Sequence, residues 1–142
     1  MSEKTMRRRI VTALRALDAL SIENPIVPGT PDVNFVEGWI ELKWARRWPE
    51  QESDILRMPH FTNQQRVWLR RRWRKGGRVW LLLQVGRCWL LFDGATAADV
   101  VGTSTRRELF ERAYRAWPDG LDERQLRNSL GGYVHPRVAK GE

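Results

Sequence analysis

The apolar positions change period along the chain. Over residues 2 to 20, Met6, Ile10, Ala13, Leu14, Leu17 and Leu20 fall on one stripe of a 3.6-residue repeat, which predicts an amphipathic helix. "SIENPIVPGTPD" follows, with three prolines and a glycine, and reads as an ordered but irregular connection. From residue 32 to residue 44 the pattern switches to alternation. Val33, Phe35, Ile40, Leu42 and Trp44 share one face of a predicted hairpin, and Asp32, Asn34, Glu41 and Lys43 share the other. Glu37-Gly38 is the expected two-residue turn, which would set Asp32 opposite Lys43 and Asn34 opposite Glu41.

Residues 45 to 60, charged and interrupted by proline, read as a surface loop. "TNQQRVWLRRRWRK", residues 62 to 75, predicts a helix capped by Thr62 or Asn63 and ended by Gly76-Gly77, with Trp68, Leu69 and Trp73 on its apolar side. "RVWLLLQV" and "CWLLFD", separated by Gly86-Arg87, predict a second hairpin. Its first strand is apolar enough to be buried on both faces. A helix over 105 to 117 has capping-box spacing at Thr105 and Glu108, a shorter one is expected over 122 to 130, and "GGYVHPRVAKGE" reads as a loose tail. The expected fold is α/β, a mixed sheet flanked by helices. Residues 1 to 117 would form one domain and 118 to 142 a partly loose extension.

Composition sharpens this. With 142 residues, 42% hydrophobic and eight tryptophans, the chain is long and apolar enough for a real core. Lys and Arg number 25 against 17 Asp and Glu, a formal charge of +8, which points to a polyanionic partner, nucleic acid before membrane. The single cysteine, Cys88, excludes an internal disulfide and fits a reducing cytosol. No apolar run approaches the roughly 18 residues that span a bilayer. The basic N-terminus lacks the apolar core and cleavage site of a signal peptide, and it is read as helix.

The polar face of the first hairpin holds the candidate chemistry. Two carboxylates, Asp32 and Glu41, one strand crossing apart suit a hard divalent cation such as Mg²⁺. Lys43 beside them could bind a phosphate oxygen or orient a water. Together they supply what phosphodiester hydrolysis needs: a Lewis acid, a nucleophile and charge neutralisation. The alternative is a solvated face with an ordinary Asp32–Lys43 cross-strand pair.

"PD", nine residues from Asp32 to Glu41, and then "ELK" resemble the signature of the PD-(D/E)XK nuclease superfamily. "PGTPDV…GWIELKW…HFTNQQRVWLRRRWRKGG" is similar to its VRR-NUC type and to small phage nucleases related to Holliday-junction resolvases, over roughly residues 1 to 94. The resemblance implies a Mg²⁺-dependent endonuclease, with Mn²⁺ able to substitute. In it Asp32 and Glu41 hold the metal, the Leu42 carbonyl is a further ligand and Lys43 is the catalytic lysine. Gln65 best matches the glutamine on the following helix, and Gln64 is its rival. An additional acid would be Glu3, on the first helix, or Glu23, near the PD loop. The resemblance further implies a phage or prophage protein in the cytoplasm of a bacterial host, branched or nicked DNA as substrate, and a homodimer as one assembly open to it.

Seven of the thirteen residues in "RVWLRRRWRKGGR" are basic. Arg70, Arg71, Arg72, Arg74 and Lys75 are therefore the candidate contacts to a DNA backbone, and Arg72 shares a helix side with Gln65. Trp48, in the charged loop, is the aromatic best placed to touch nucleic acid. A non-catalytic nucleic-acid-binding protein of the same fold is the competing class. It shares the charge but has no use for carboxylates that repel phosphate. His60, His135 and Cys88 lack zinc spacing, and no Walker-type glycine loop occurs.

Overall fold

The computed structural model describes residues 2–24 and 26–139. Its centre is a six-stranded mixed sheet in sequence order: β1 (Leu20–Ser21), β2 (Val33–Phe35), β3 (Gly38–Ala45), β4 (Arg78–Val85), β5 (Cys88–Asp93) and β6 (Arg115–Trp117). Every neighbouring pair is antiparallel except β3 and β4, whose parallel pairing needs a crossover. That crossover carries α2 (Asn63–Arg74).

Alternation along β3, β4 and β5 divides the core into two layers. Val79, Leu81, Leu83 and Val85 of β4 pack with Trp68 and Leu69 of α2, and with α3 (Gly94–Val100) and α4 (Arg106–Arg112). On the opposite face Trp80 and Leu82 join Val33, Phe35, Ile40 and Leu42 under Met6, Ile10 and Leu14 of the N-terminal helical segment, whose regular part is α1 (Glu3–Ala13). From Val79 to Val85, β4 has no exposed residue, as its apolar run implies. Helices therefore cover both faces, and the α/β expectation holds at this level.

Several boundaries differ from those the pattern implies. The first helix ends at Ala13, passes through a 3₁₀ turn at Arg15–Leu17, and is broken by Asp18 at φ 56° before β1. The helix expected to reach residue 117 stops at Arg112, although its Thr105–Glu108 capping box forms. Arg115–Trp117 instead adds an edge strand to β5, because pairing satisfies backbone groups that a further helical turn would have left on the sheet edge. The loop of residues 45 to 60 is partly core: Leu56 and Met58 are buried, and Ile55 bridges to Thr105.

Much of the C-terminal segment, expected as a partly loose extension, packs on the core. Leu126 and Leu130 of α5 (Glu123–Gly131) are fully buried in the α1 layer. Beyond α5, Tyr133 packs edge-on against Trp80 at 4.7 Å and His135 lies 4.1 Å from the Trp73 ring. Arg137, in α6 (Pro136–Ala139), donates to the Arg74 carbonyl at the end of α2, where the helix dipole favours a cation. Residues 140 to 142 of that tail lie outside the described residues.

Candidate functional site

The first hairpin keeps its expected faces but not its expected turn. Val36 and Glu37 form the turn, so Phe35 pairs with Gly38, Asn34 with Trp39 and Val33 with Ile40. Continued by one step, this register sets Asp32 opposite Glu41, where Lys43 was expected. A shift of two residues leaves every side chain on its face, so the hydrophobic pattern could not distinguish the two registers. Gly38 belongs to the strand for a steric reason: a Cβ there would lie 1.9 Å from the Arg78 carbonyl oxygen of β4.

The proline of the PD pair explains how the site opens. The next ladder partner of Leu42 would be Pro31, which has no N–H to donate. The ladder ends, and the Leu42 N–H donates to Asp32 Oδ2 at 2.9 Å. A strand residue sends its N–H and C=O to the same edge. The Leu42 carbonyl therefore emerges beside Asp32, without a ladder donor from position 31.

Glu41 is the most constrained member. It is 1% exposed, and its Oε2 receives Gln65 Nε2 at 3.3 Å and lies 3.4 Å from Lys43 Nζ. Its Oε1 is buried without a partner among the described residues. Burial, and after it the facing Asp32 carboxylate, push the Glu41 carboxyl well above its ordinary pKa, against the pull of Lys43. Lys43 is itself only 6% exposed, and its ammonium also donates to the His60 carbonyl at 3.0 Å. An isolated buried ion would cost several kcal/mol, so Glu41 and Lys43 depend on one another, and the solvated-face alternative fails on burial.

Gln65 is held from both ends. Its backbone N–H and its Oε1 close a capping box with Thr62, leaving Nε2 to reach Glu41. Gly29 of the PD loop packs on this helix end at φ 87°, where a Cβ would lie 2.5 Å from the Gln64 carbonyl oxygen. Gln64 is exposed, so between the two glutamines the fold selects Gln65.

The two candidates for a further acid do not join the cluster. Glu3 is exposed in the first turn of α1. The Glu23 side chain is 88% exposed and, among the described residues, pairs with Arg7 at 3.9 Å. Among the described residues no three His, Cys, Asp or Glu side chains gather as a metal-ligand set. Arg7 carries no distinguishing mark in the sequence, where it lies within a basic run, "RRR". From α1 it reaches Asp32 Oδ1 at 3.1 Å.

The basic residues proposed to touch DNA, on α2 and at its C-cap, separate into three environments. Arg70 is paired with Asp99 at 3.0 Å, and the Arg72 guanidinium lies 4.7 Å over the Trp68 ring. Arg71, Arg74 and Lys75 are exposed and, among the described ion pairs, have no acidic partner. With Val67 and Arg70 they line a shallow depression of about 340 Å³ on the outer side of the helix. Trp48 is half-buried against Phe110, with Arg106 5.1 Å from its ring, so packing already occupies it. Among the described residues, no helix is long and apolar enough to cross a membrane.

Comparisons with protein-family models, with curated proteins and with solved structures returned no match to this chain.

Proposed function

We propose that the protein is a Mg²⁺-dependent endonuclease of the PD-(D/E)XK type that hydrolyses phosphodiester bonds in DNA, with branched or nicked DNA as its substrate. The observation that carries this reading is the convergence of Asp32, Glu41, Lys43 and Gln65 at the end of the β2–β3 ladder. The hairpin followed by the β3–α2–β4 crossover supports it, since the resemblance requires that arrangement.

The residues present fit the metal. Mg²⁺ binds through one or two carboxylates and keeps several waters. Asp32 and Glu41 supply two acids, the Leu42 carbonyl a neutral oxygen, and the unpartnered Glu41 Oε1 an acceptor in need of a cation. When bound, Mg²⁺ would polarise the scissile phosphate and acidify a water.

The chain's own groups do the rest. Lys43, fixed by Glu41 and the His60 carbonyl, orients the attacking water and offsets charge developing on the phosphate. Gln65 holds the Glu41 carboxylate in place. Arg71, Arg74 and Lys75 bind the backbone without reading bases.

The test is cleavage of linear, nicked and four-way DNA with and without Mg²⁺, by wild type, Asp32→Ala and Glu41→Ala. Both variants should lose cleavage while DNA binding is kept or tightened. Wild-type cleavage by either would overturn the assignment.

A further inference from the structure

Arg7 stands where the proposed metal site needs explaining. Its guanidinium spans two acids, Asp32 Oδ1 at 3.1 Å and Glu23 Oε1 at 3.9 Å, while its Nε is buried with no partner among the described residues. The side chain is 25% exposed, and the Asp32 side chain it meets only 15%. A lone surface arginine has no reason to bury an unsatisfied donor, which costs free energy. Asp32, for its part, has both oxygens engaged, one by Arg7 and the other by the Leu42 amide.

The charges make the point sharper. In the metal-free site Asp32 and Glu41 are balanced by Arg7 and Lys43. A divalent cation alone balances both acids. With Glu23, the other acid that Arg7 meets, counted as well, the cation and the two basic side chains leave a surplus of one positive charge beside the site, which a phosphodiester would take up.

Resting on the nuclease reading, we infer that Arg7 is a displaceable counter-cation. It occupies Asp32 while the metal is absent, yields that oxygen when the metal enters, and then donates to the DNA phosphate. Glu23, exposed and within reach, is the acid onto which the released guanidinium can swing, so its place near the PD loop serves Arg7 and not the metal. Arg7 thus competes with the metal for Asp32 and is a ligand for the phosphate. Divalent cation and DNA should bind with positive coupling in the wild type, because the first frees the group that the second uses.

Mn²⁺ titration by calorimetry, without DNA, tests the first half, using wild type, Arg7→Met, Arg7→Lys and Asp32→Ala. A like charge a few ångströms from an incoming cation at an effective dielectric near 20 weakens its binding appreciably. Arg7→Met should therefore bind Mn²⁺ about tenfold or more tightly than wild type, and Arg7→Lys should stay near wild type. Fluorescence anisotropy with a short duplex tests the second half: Ca²⁺ should tighten wild-type binding several-fold but that of Arg7→Met much less. Circular dichroism identifies any variant that fails to fold; should Arg7→Met be one, Arg7→Gln, which loses the charge but keeps a polar side chain, takes its place in both measurements. If Asp32→Ala abolishes Mn²⁺ binding while Arg7→Met leaves it unchanged, the metal site stands and the role of Arg7 is refuted. If no variant binds Mn²⁺ and wild type does not either, both readings fall together.

Discussion

Replacing Glu41 by glutamine in the metal-free protein should remove a pH dependence of folding that the wild type carries. The Glu41 carboxyl is 1% exposed, and one oxygen has no partner among the described residues. Burial first and the Asp32 carboxylate second raise its pKa well above the ordinary 4.5, with Lys43 opposing. A group whose folded pKa lies above its unfolded one holds its proton more tightly in the native state. Its contribution to stability is complete below the unfolded pKa and is lost as pH rises through the folded value. Within that window stability falls by about 1.4 kcal/mol per pH unit. For a domain of this length that corresponds to a Tm slope of roughly 4 °C per pH unit. Glutamine keeps the shape but cannot titrate. Thermal unfolding of both proteins, followed by circular dichroism in chelator from about pH 5 to about pH 8, measures the difference. The wild-type Tm should fall relative to Glu41→Gln as pH rises, and saturating Mg²⁺ should narrow the gap. Parallel pH profiles would refute the claim that Glu41 is held in the fold at a cost when ionised.

Other outcomes follow from the same contacts. Replacing Arg71, Arg74 and Lys75 together by alanine should weaken binding to all DNA sequences alike and reduce the salt dependence by up to about 0.9 log unit per lost phosphate contact, read from anisotropy at several salt concentrations. Arg70→Ala should have a smaller effect, since Arg70 is already paired with Asp99. Leu126→Ala should cost about 2–5 kcal/mol in urea unfolding, because Leu126 is fully buried in the α1 layer; a loss well under 1 kcal/mol would mean the C-terminal helix is dispensable. Gly29→Ala should push the PD loop off the start of α2, where the Cβ would lie 2.5 Å from the Gln64 carbonyl oxygen, and lower cleavage more than it lowers Tm.

What the sequence determined by itself is what alternation and periodicity control. The period-2 pattern of the hairpin puts Glu41 and Lys43 on one face and Ile40 and Leu42 on the other. A one-residue slip would expose the apolar set, so the faces were legible. The nearly unbroken apolar run of β4 likewise told of a strand covered on both sides. The capping box at Thr105 was readable because it is local, made within one turn, whereas Thr62 was only one of two caps that the pattern offered and the structure closes its box with Gln65.

Tertiary structure decided whatever depends on contacts distant in sequence. Register within the hairpin turned on Gly38 meeting the Arg78 backbone, forty residues away, and that contact moved Asp32 from Lys43 to Glu41. Residues 113 to 117 have a helical stripe, yet the free edge of β5 draws Arg115–Trp117 into the sheet. Gln65 prevailed over Gln64 only because the capping box points its amide toward Glu41. Arg7, one of three consecutive arginines, carries no local mark that separates it from its neighbours. Its partner Asp32 lies 25 residues on, and only the packing of α1 beside the end of β2 brings the guanidinium to that carboxylate. Local pattern assigns residues to faces, and long-range packing selects which of them meet, because the energy of a buried charge is set by neighbours that the chain brings from elsewhere.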